Sequence, residues 1–152
     1  MPLLILPVEH VQQQHSGECL AASVAMVLNF LGAPVAYRRL VKVLDIIPDA
    51  GTPAFKVGNV KQLGVHVRYQ HGSIEQLRRH LIAGEPCIVF VQTKDLPYRD
   101  DDTAHAIVLV GMDDNNFYVD DPEFAESPLC VPLGGFDLAW LEHDEMYAVL
   151  TR

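Results

Sequence analysis

Basic charge is scarce in this 152-residue chain: 11 Lys and Arg stand against 20 Asp and Glu, for a net charge of −9. The two arginine pairs, Arg38 with Arg39 and Arg78 with Arg79, fall in helix-like segments and build no basic stripe, so nucleic acid and anionic membranes are excluded as partners. Long hydrophobic runs are also missing. The opening MPLLILPV lacks a basic flank, is cut by Pro2 and Pro7, and is far shorter than a membrane span needs, so no signal segment and no membrane insertion are expected. Cysteine is limited to Cys19, Cys87 and Cys130, an odd number, which argues against a disulfide framework and for free thiols in a reducing, cytoplasmic setting. His10, His15, His66, His71, His80 and His143 show no metal spacing such as HExxH; no metal site and no cofactor are expected, and these histidines read as surface or satisfied polar residues.

What is present is the composition of a soluble globular protein, 49% hydrophobic and 20% charged, without repeat or low-complexity tract, and the length suits one domain over residues 1–152. ECLAASVAMVLNFL (18–31) is apolar nearly all round and reads as a buried central helix, with Ser16 as its cap and Gly32 as its stop. Residues 36–44 form a surface helix, and 53–63 a weakly signalled one broken at Gly58. VHVRYQ (65–70) alternates like a strand, and 73–84 has a Ser cap with Gln76 three residues on. PCIVFVQ (86–92) is a continuous apolar strand. AHAIVLVGM (104–112), a DDNN turn and NFYVDDP (116–122) make a β-hairpin, a short helix lies near 136–143, and 145–152 closes as a strand. Helices first and an antiparallel sheet after them indicate an α+β fold.

The stretch QQQHSGECLAAS (12–23) puts Cys19 in the first turn of the central helix, where unpaired N–H groups and the helix dipole favour a thiolate. In an antiparallel hairpin the numbers of facing residues add to a constant, here near 226 to 228, and 105 plus 121 is 226. His105 and Asp121 should therefore face each other within carboxylate-to-imidazole range. A nucleophilic Cys needs a base, the base needs an orienting partner, and the oxyanion needs donors; Cys19, His105, Asp121 and Gln13 suit those roles in order. Asp120 falls on the opposite strand face from Asp121.

The set of features resembles the bacteriocin-processing (double-glycine) peptidase family, papain-like cysteine peptidases that cut leader peptides after a Gly-Gly pair. The matching features are six residues from Gln13 to Cys19, Glu18 before the Cys, Ala22 and the apolar helix through NFLG, the HAIVLVG strand, and Asp121-Pro122 sixteen residues after His105. The resemblance implies a papain-like fold, N-terminal helices packed on an antiparallel sheet, and a cysteine peptidase or amidase acting on a peptide or protein substrate. By the match Cys19 is the nucleophile, His105 the base, Asp121 the orienting carboxylate and Gln13 the oxyanion donor, with nothing attached beyond Arg152. Leu20, where family members usually carry Gly, motivates a second reading as a non-catalytic peptide-binding module. Deamidase or transglutaminase-like acyl transfer uses the same groups and remains a third. Oligomeric state is not legible. Cys87 and Cys130 read as inert core or near-core thiols, the run RDDDT (99–103) as a solvated loop, and LGGF (133–136) as a turn.

Overall fold

A computed structural model describes all residues from Met1 to Arg152. Its centre is α1 (Cys19–Phe30), in which every residue from Leu20 to Leu28 is buried. A helix apolar on all faces has to be covered on all faces. Its partners are α2 (Tyr37–Val43), a 3-10 segment (Ala54–Leu63) and one face of a seven-stranded antiparallel sheet. That sheet comprises β1 (Leu4–Ile5), β2 (His66–His71), β3 (Cys87–Gln92), β4 (Ala104–Met112), β5 (Asn116–Asp120), β6 (Leu129–Pro132) and β7 (Met146–Thr151), in the order β2-β7-β3-β4-β5-β6 with β1 on the far end of β4. The fold is α+β, as expected. No helix is long and apolar enough to cross a membrane.

Strand alternation divides the core in two. Ala106, Val108 and Val110 point toward α1, while Ile107 and Leu109 point to the other side. There they meet α3 (Ile74–Ile82) and α4 (Leu133–Leu141), through Leu77, Leu81, Phe136 and Trp140. Helices therefore cover both sheet faces, not only the N-terminal ones on a single face. Ser73 caps α3 as read from the sequence, its hydroxyl accepting from the Gln76 N–H at 3.1 Å.

Several local expectations are corrected. The 3-10 segment runs through Gly58 unbroken, and LGGF is the first turn of α4, not a loop. Ser16 does not cap α1: the N-cap is Glu18, which makes no capping bond and instead accepts from the His15 N–H at 3.0 Å and the Tyr37 hydroxyl at 2.9 Å. Cys130 is exposed because β6 alternates and Val131 takes the inward position, whereas Cys87 is fully buried as expected and burial pushes its thiol up. β1 seats on β4 only because residue 111 is Gly: a Cβ there would lie 2.5 Å from the Leu4 carbonyl oxygen.

Candidate active site

Ser23, one turn along α1 from Cys19, donates its hydroxyl to the Ala106 carbonyl at 3.4 Å. This contact sets the first turn of the helix beside the first residues of β4, so that Cys19 and His105 line one groove. The first N–H groups of α1 have no intrahelical acceptor and no side chain caps them, so they face the same space. Gly17 makes the turn into the helix at φ +85, with no room for a side chain: a Cβ would stand 3.0 Å from the Gly51 nitrogen.

On its other side the His105 ring meets Asp121, Nε2 to Oδ1 at 2.8 Å. The hairpin register that produces this lies at the upper end of the expected range, so the two residues are diagonal and not directly opposite. Val108 faces Asp120 and Leu109 faces Val119, a sum of 228, and an extra residue at Val110 shifts the register between Leu109 and Gly111. Asp121 thus lies just past the end of β5, two positions diagonal to His105, and bridges the offset from a turn in which its Oδ1 also accepts the Glu123 N–H at 2.9 Å. Asp120 faces away from this pair, buried, with Oδ2 unpartnered; burial pushes its carboxyl up to about 6, opposed by the charge of His10.

Gln13 lines the same groove as Cys19 and His105. One amide N–H of its Nε2 goes to the His15 carbonyl at 3.1 Å, which orients the side chain and leaves the second N–H free; Oε1 is buried without a partner. The segment carrying it is pinned across the Asp121 turn by the Gln13 N–H on the Pro122 carbonyl at 2.9 Å, Gln12 Nε2 on the Glu123 carbonyl at 3.1 Å, and His10 Nε2 against the Asp121 carbonyl at 2.7 Å. Gln13, Cys19 and His105 therefore line one groove of about 670 Å³, walled on the far side by residues 49–54, with Asp121 buried behind His105. Leu20 is 1% exposed and packs into the core while also forming part of the groove lining beside Cys19.

Burial acts on His105 first and disfavours its charged form. Its bonds to Asp121 and Cys19, with the negative charge of both, outweigh that and push the imidazole up to about 9. Asp121, wholly buried, is likewise pushed up by burial and pulled further down by its bonds to His105, Glu123 and Tyr98, ending below the ordinary carboxylate range.

Sequence reasoning missed part of this site. Arg99, in the run read as solvated, is buried, and its guanidinium donates to Asp121 Oδ2 at 3.1 Å, to Asp101 Oδ1 at 2.8 Å and to Glu123 Oε2 at 3.3 Å. The Tyr98 hydroxyl donates to the same Asp121 oxygen at 2.7 Å. His143, read as a surface or satisfied polar residue, is satisfied by Gln92 Oε1 at 2.9 Å and also lines the groove, which the sequence did not indicate. The available signal was the lone cation inside an acidic run, next to an aromatic.

A family profile described as the Peptidase C39-like family matches residues 5–143. The chain belongs to that family. Among solved structures, a Bacillus anthracis protein described as a C39-like peptidase superposes with a TM-score of 0.81 at 21% identity, over 100% of this chain and 98% of that one. The peptidase domain of Streptococcus ComA, a bifunctional ABC transporter of a quorum-sensing pathway, gives 0.76 at 21% identity, over 95% and 98%. A double glycine motif protease from an AMS/PCAT transporter, solved in complex with the leader peptide, gives 0.74 at 22% identity, over 97% and 93%. At these identities the structures show a shared fold, that of papain-like C39 peptidase domains. No curated protein matches the chain in sequence.

Proposed function

We propose that this member of the C39-like family is an active cysteine peptidase whose residues 1–152 form one peptidase domain, and that it cleaves a peptide bond through an acyl-enzyme at Cys19. The observation that carries the reading is a His105 ring held by Asp121 at 2.8 Å and lining one groove together with Cys19 and Gln13. An imidazole pushed up to about 9 is an imidazolium at neutral pH, and a positive charge of that kind favours the anionic form of a thiol brought beside it.

Because Nε2 is held by Asp121, the ring presents Nδ1 to Cys19. The thiolate attacks the substrate carbonyl carbon, and the oxyanion takes the Cys19 N–H and the free Gln13 N–H. Nδ1–H then protonates the departing amine as the C–N bond breaks, leaving a thioester. Neutral His105 draws a proton from water and becomes imidazolium again, the hydroxide attacks the thioester, the C–S bond breaks to restore the Cys19 thiolate, and the carboxylic acid product releases its proton to solvent. The substrate is a peptide threaded through the groove. The relative solved with its leader peptide supports testing segments ending in Gly-Gly first.

The test is site-resolved iodoacetamide alkylation of Cys19 across pH, for wild type and His105→Ala, followed by Gly-Gly peptide libraries with Cys19→Ala as control. The expected result is alkylation well below pH ~8.5 that disappears with His105, and cleavage abolished in Cys19→Ala. Slow, ordinary alkylation in wild type would refute catalysis and leave a peptide-binding module. Release of ammonia without chain cleavage would replace hydrolysis of the backbone by deamidation.

A further inference from the structure

Two carboxylates reach the two sides of the His105 ring. Asp121 is bonded to Nε2, as the catalytic reading requires. Glu123, 40% exposed and lining the groove, has Oε1 3.8 Å from Nδ1, the atom that has to serve Cys19. A carboxylate free to close that gap would hold the imidazolium proton in a charge-assisted bond and compete with the thiolate for it. What stands against this is Arg99, whose side chain is 3% exposed. Nη1 reaches Asp121 at 3.1 Å, Nη2 reaches the other oxygen of Glu123 at 3.3 Å, and Nε anchors to Asp101 at 2.8 Å. The guanidinium plane also lies 5.4 Å from the Phe124 ring centroid, which Tyr98 in turn meets edge-on. A planar fork with several donors can hold separate carboxylates at fixed angles, which an ammonium cannot.

Resting on the catalytic reading above, we propose that Arg99 is a positioning residue of the site: it fixes Asp121 against Nε2 of His105 and holds Glu123 away from Nδ1, so that Cys19 alone receives that proton. Other charged groups near the pair are already engaged or stand elsewhere on the groove. Glu18 is bonded to Tyr37, His10 lies against the Asp121 carbonyl, His143 is bonded to Gln92, and Asp49 lines the opposite wall.

The test reads the pH dependence of Cys19 alkylation, which needs no substrate, in wild type, Arg99→Met, and Arg99→Met with Glu123→Gln, each checked for folding by circular dichroism. In Arg99→Met the freed Glu123 takes Nδ1, so the acid limb of the alkylation profile moves up by about one pH unit, the low end of what a neighbouring charge does. With a cleaved peptide in hand, kcat falls roughly tenfold, as for loss of an orienting partner, while KM stays within about twofold. Glu123→Gln in the same background restores most of both. A residue that only supported packing would leave the limb where it is, and its loss would not be repaired by neutralising a second side chain. An unmoved limb, or a moved limb that Glu123→Gln does not bring back, overturns the proposal. Should Arg99→Met not fold, Arg99→Lys keeps the charge but loses the fork, and a smaller shift in the same direction, with the same rescue, decides it. If wild-type Cys19 shows no His105-dependent reactivity at all, it is the catalytic reading that fails, before Arg99 is reached.

Discussion

Asp121→Asn probes the buried carboxylate that joins His105 to Arg99 and Tyr98. Its carboxylate accepts four bonds: His105 Nε2 and the Glu123 N–H on Oδ1, Tyr98 and Arg99 on Oδ2. An amide of the same shape can accept on one side only. With its oxygen toward His105, the Asn –NH2 faces Arg99 and Tyr98. The tyrosine hydroxyl can rotate to accept, but the guanidinium has no acceptor, so one charge-assisted bond of about 1.5–3 kcal/mol is lost. The reverse orientation sacrifices two donors, His105 and the Glu123 N–H, and costs more. A loss of about 2–4 kcal/mol is therefore expected from urea unfolding at pH 7, part of it because a buried guanidinium keeps only its Asp101 and Glu123 partners. The same change removes the negative charge that offsets burial at His105, so the imidazole falls from about 9 and the thiolate population near pH 6 drops roughly 10- to 1,000-fold. Alkylation of Cys19 measures this directly. A variant that loses under about 0.5 kcal/mol and keeps the wild-type alkylation profile would refute the account of Asp121 as both structural hub and source of the imidazolium.

Asp120→Asn is expected to act in the opposite direction. Asp120 titrates near 6 when folded, above the ordinary 3.8, so the folded state binds more protons between those values and wild-type stability falls as pH rises through them. The variant should be no more stable than wild type at pH 4 and about 2–3 kcal/mol more stable at pH 7.5 by denaturant titration; an equal effect at both would be contrary. For His105 the stabilisation is present in full below about 6.5 and is lost as pH rises through about 9, so peptide cleavage should show its alkaline limb near 9, and a limb near 7 would contradict the pairing. Gly17→Ala puts a methyl 3.0 Å from the Gly51 nitrogen at a positive φ, and about 1–3 kcal/mol of stability should be lost, together with Cys19 reactivity, as read by thermal melting and alkylation.

The readable parts of the sequence were those where local pattern and tertiary demand agree. The strand at 104–112 was bounded to the residue because apolar run, flanking Thr103 and the DDNN turn all point the same way. In the structure Asp113 Oδ1 accepts the N–H of Asn115 and Asn116 and closes that turn. The central helix was legible from its all-round hydrophobicity, and the ordered spacing of Gln13, Cys19, His105 and Asp121 suggested a site before any geometry was known. The two-residue β1 and the four-residue β6 were missed. Both are too short to carry a period, and each exists because a neighbouring strand offers an edge.

The hairpin shows how a sequence argument can reach the right pair without fixing which residue stands directly opposite. The sum is 229 beside the turn and the extra residue at Val110 lowers it to 228 toward the site, which places Glu123 opposite His105 and Asp121 two positions away. The chain therefore folds with two carboxylates competing for one imidazole. Asp121 holds it from a turn where four donors surround it, while Glu123 stays 3.8 Å off in the grip of Arg99. Nothing in the run RDDDT announces this, because its partners lie 22 and 24 residues away and a charged stretch looks solvated until the fold folds a guanidinium inward. The same run thus supplies both an exposed acidic rim, Asp100 and Asp102, and the one buried cation that lets an acidic loop sit beside a site that has to make an imidazolium available to a thiolate.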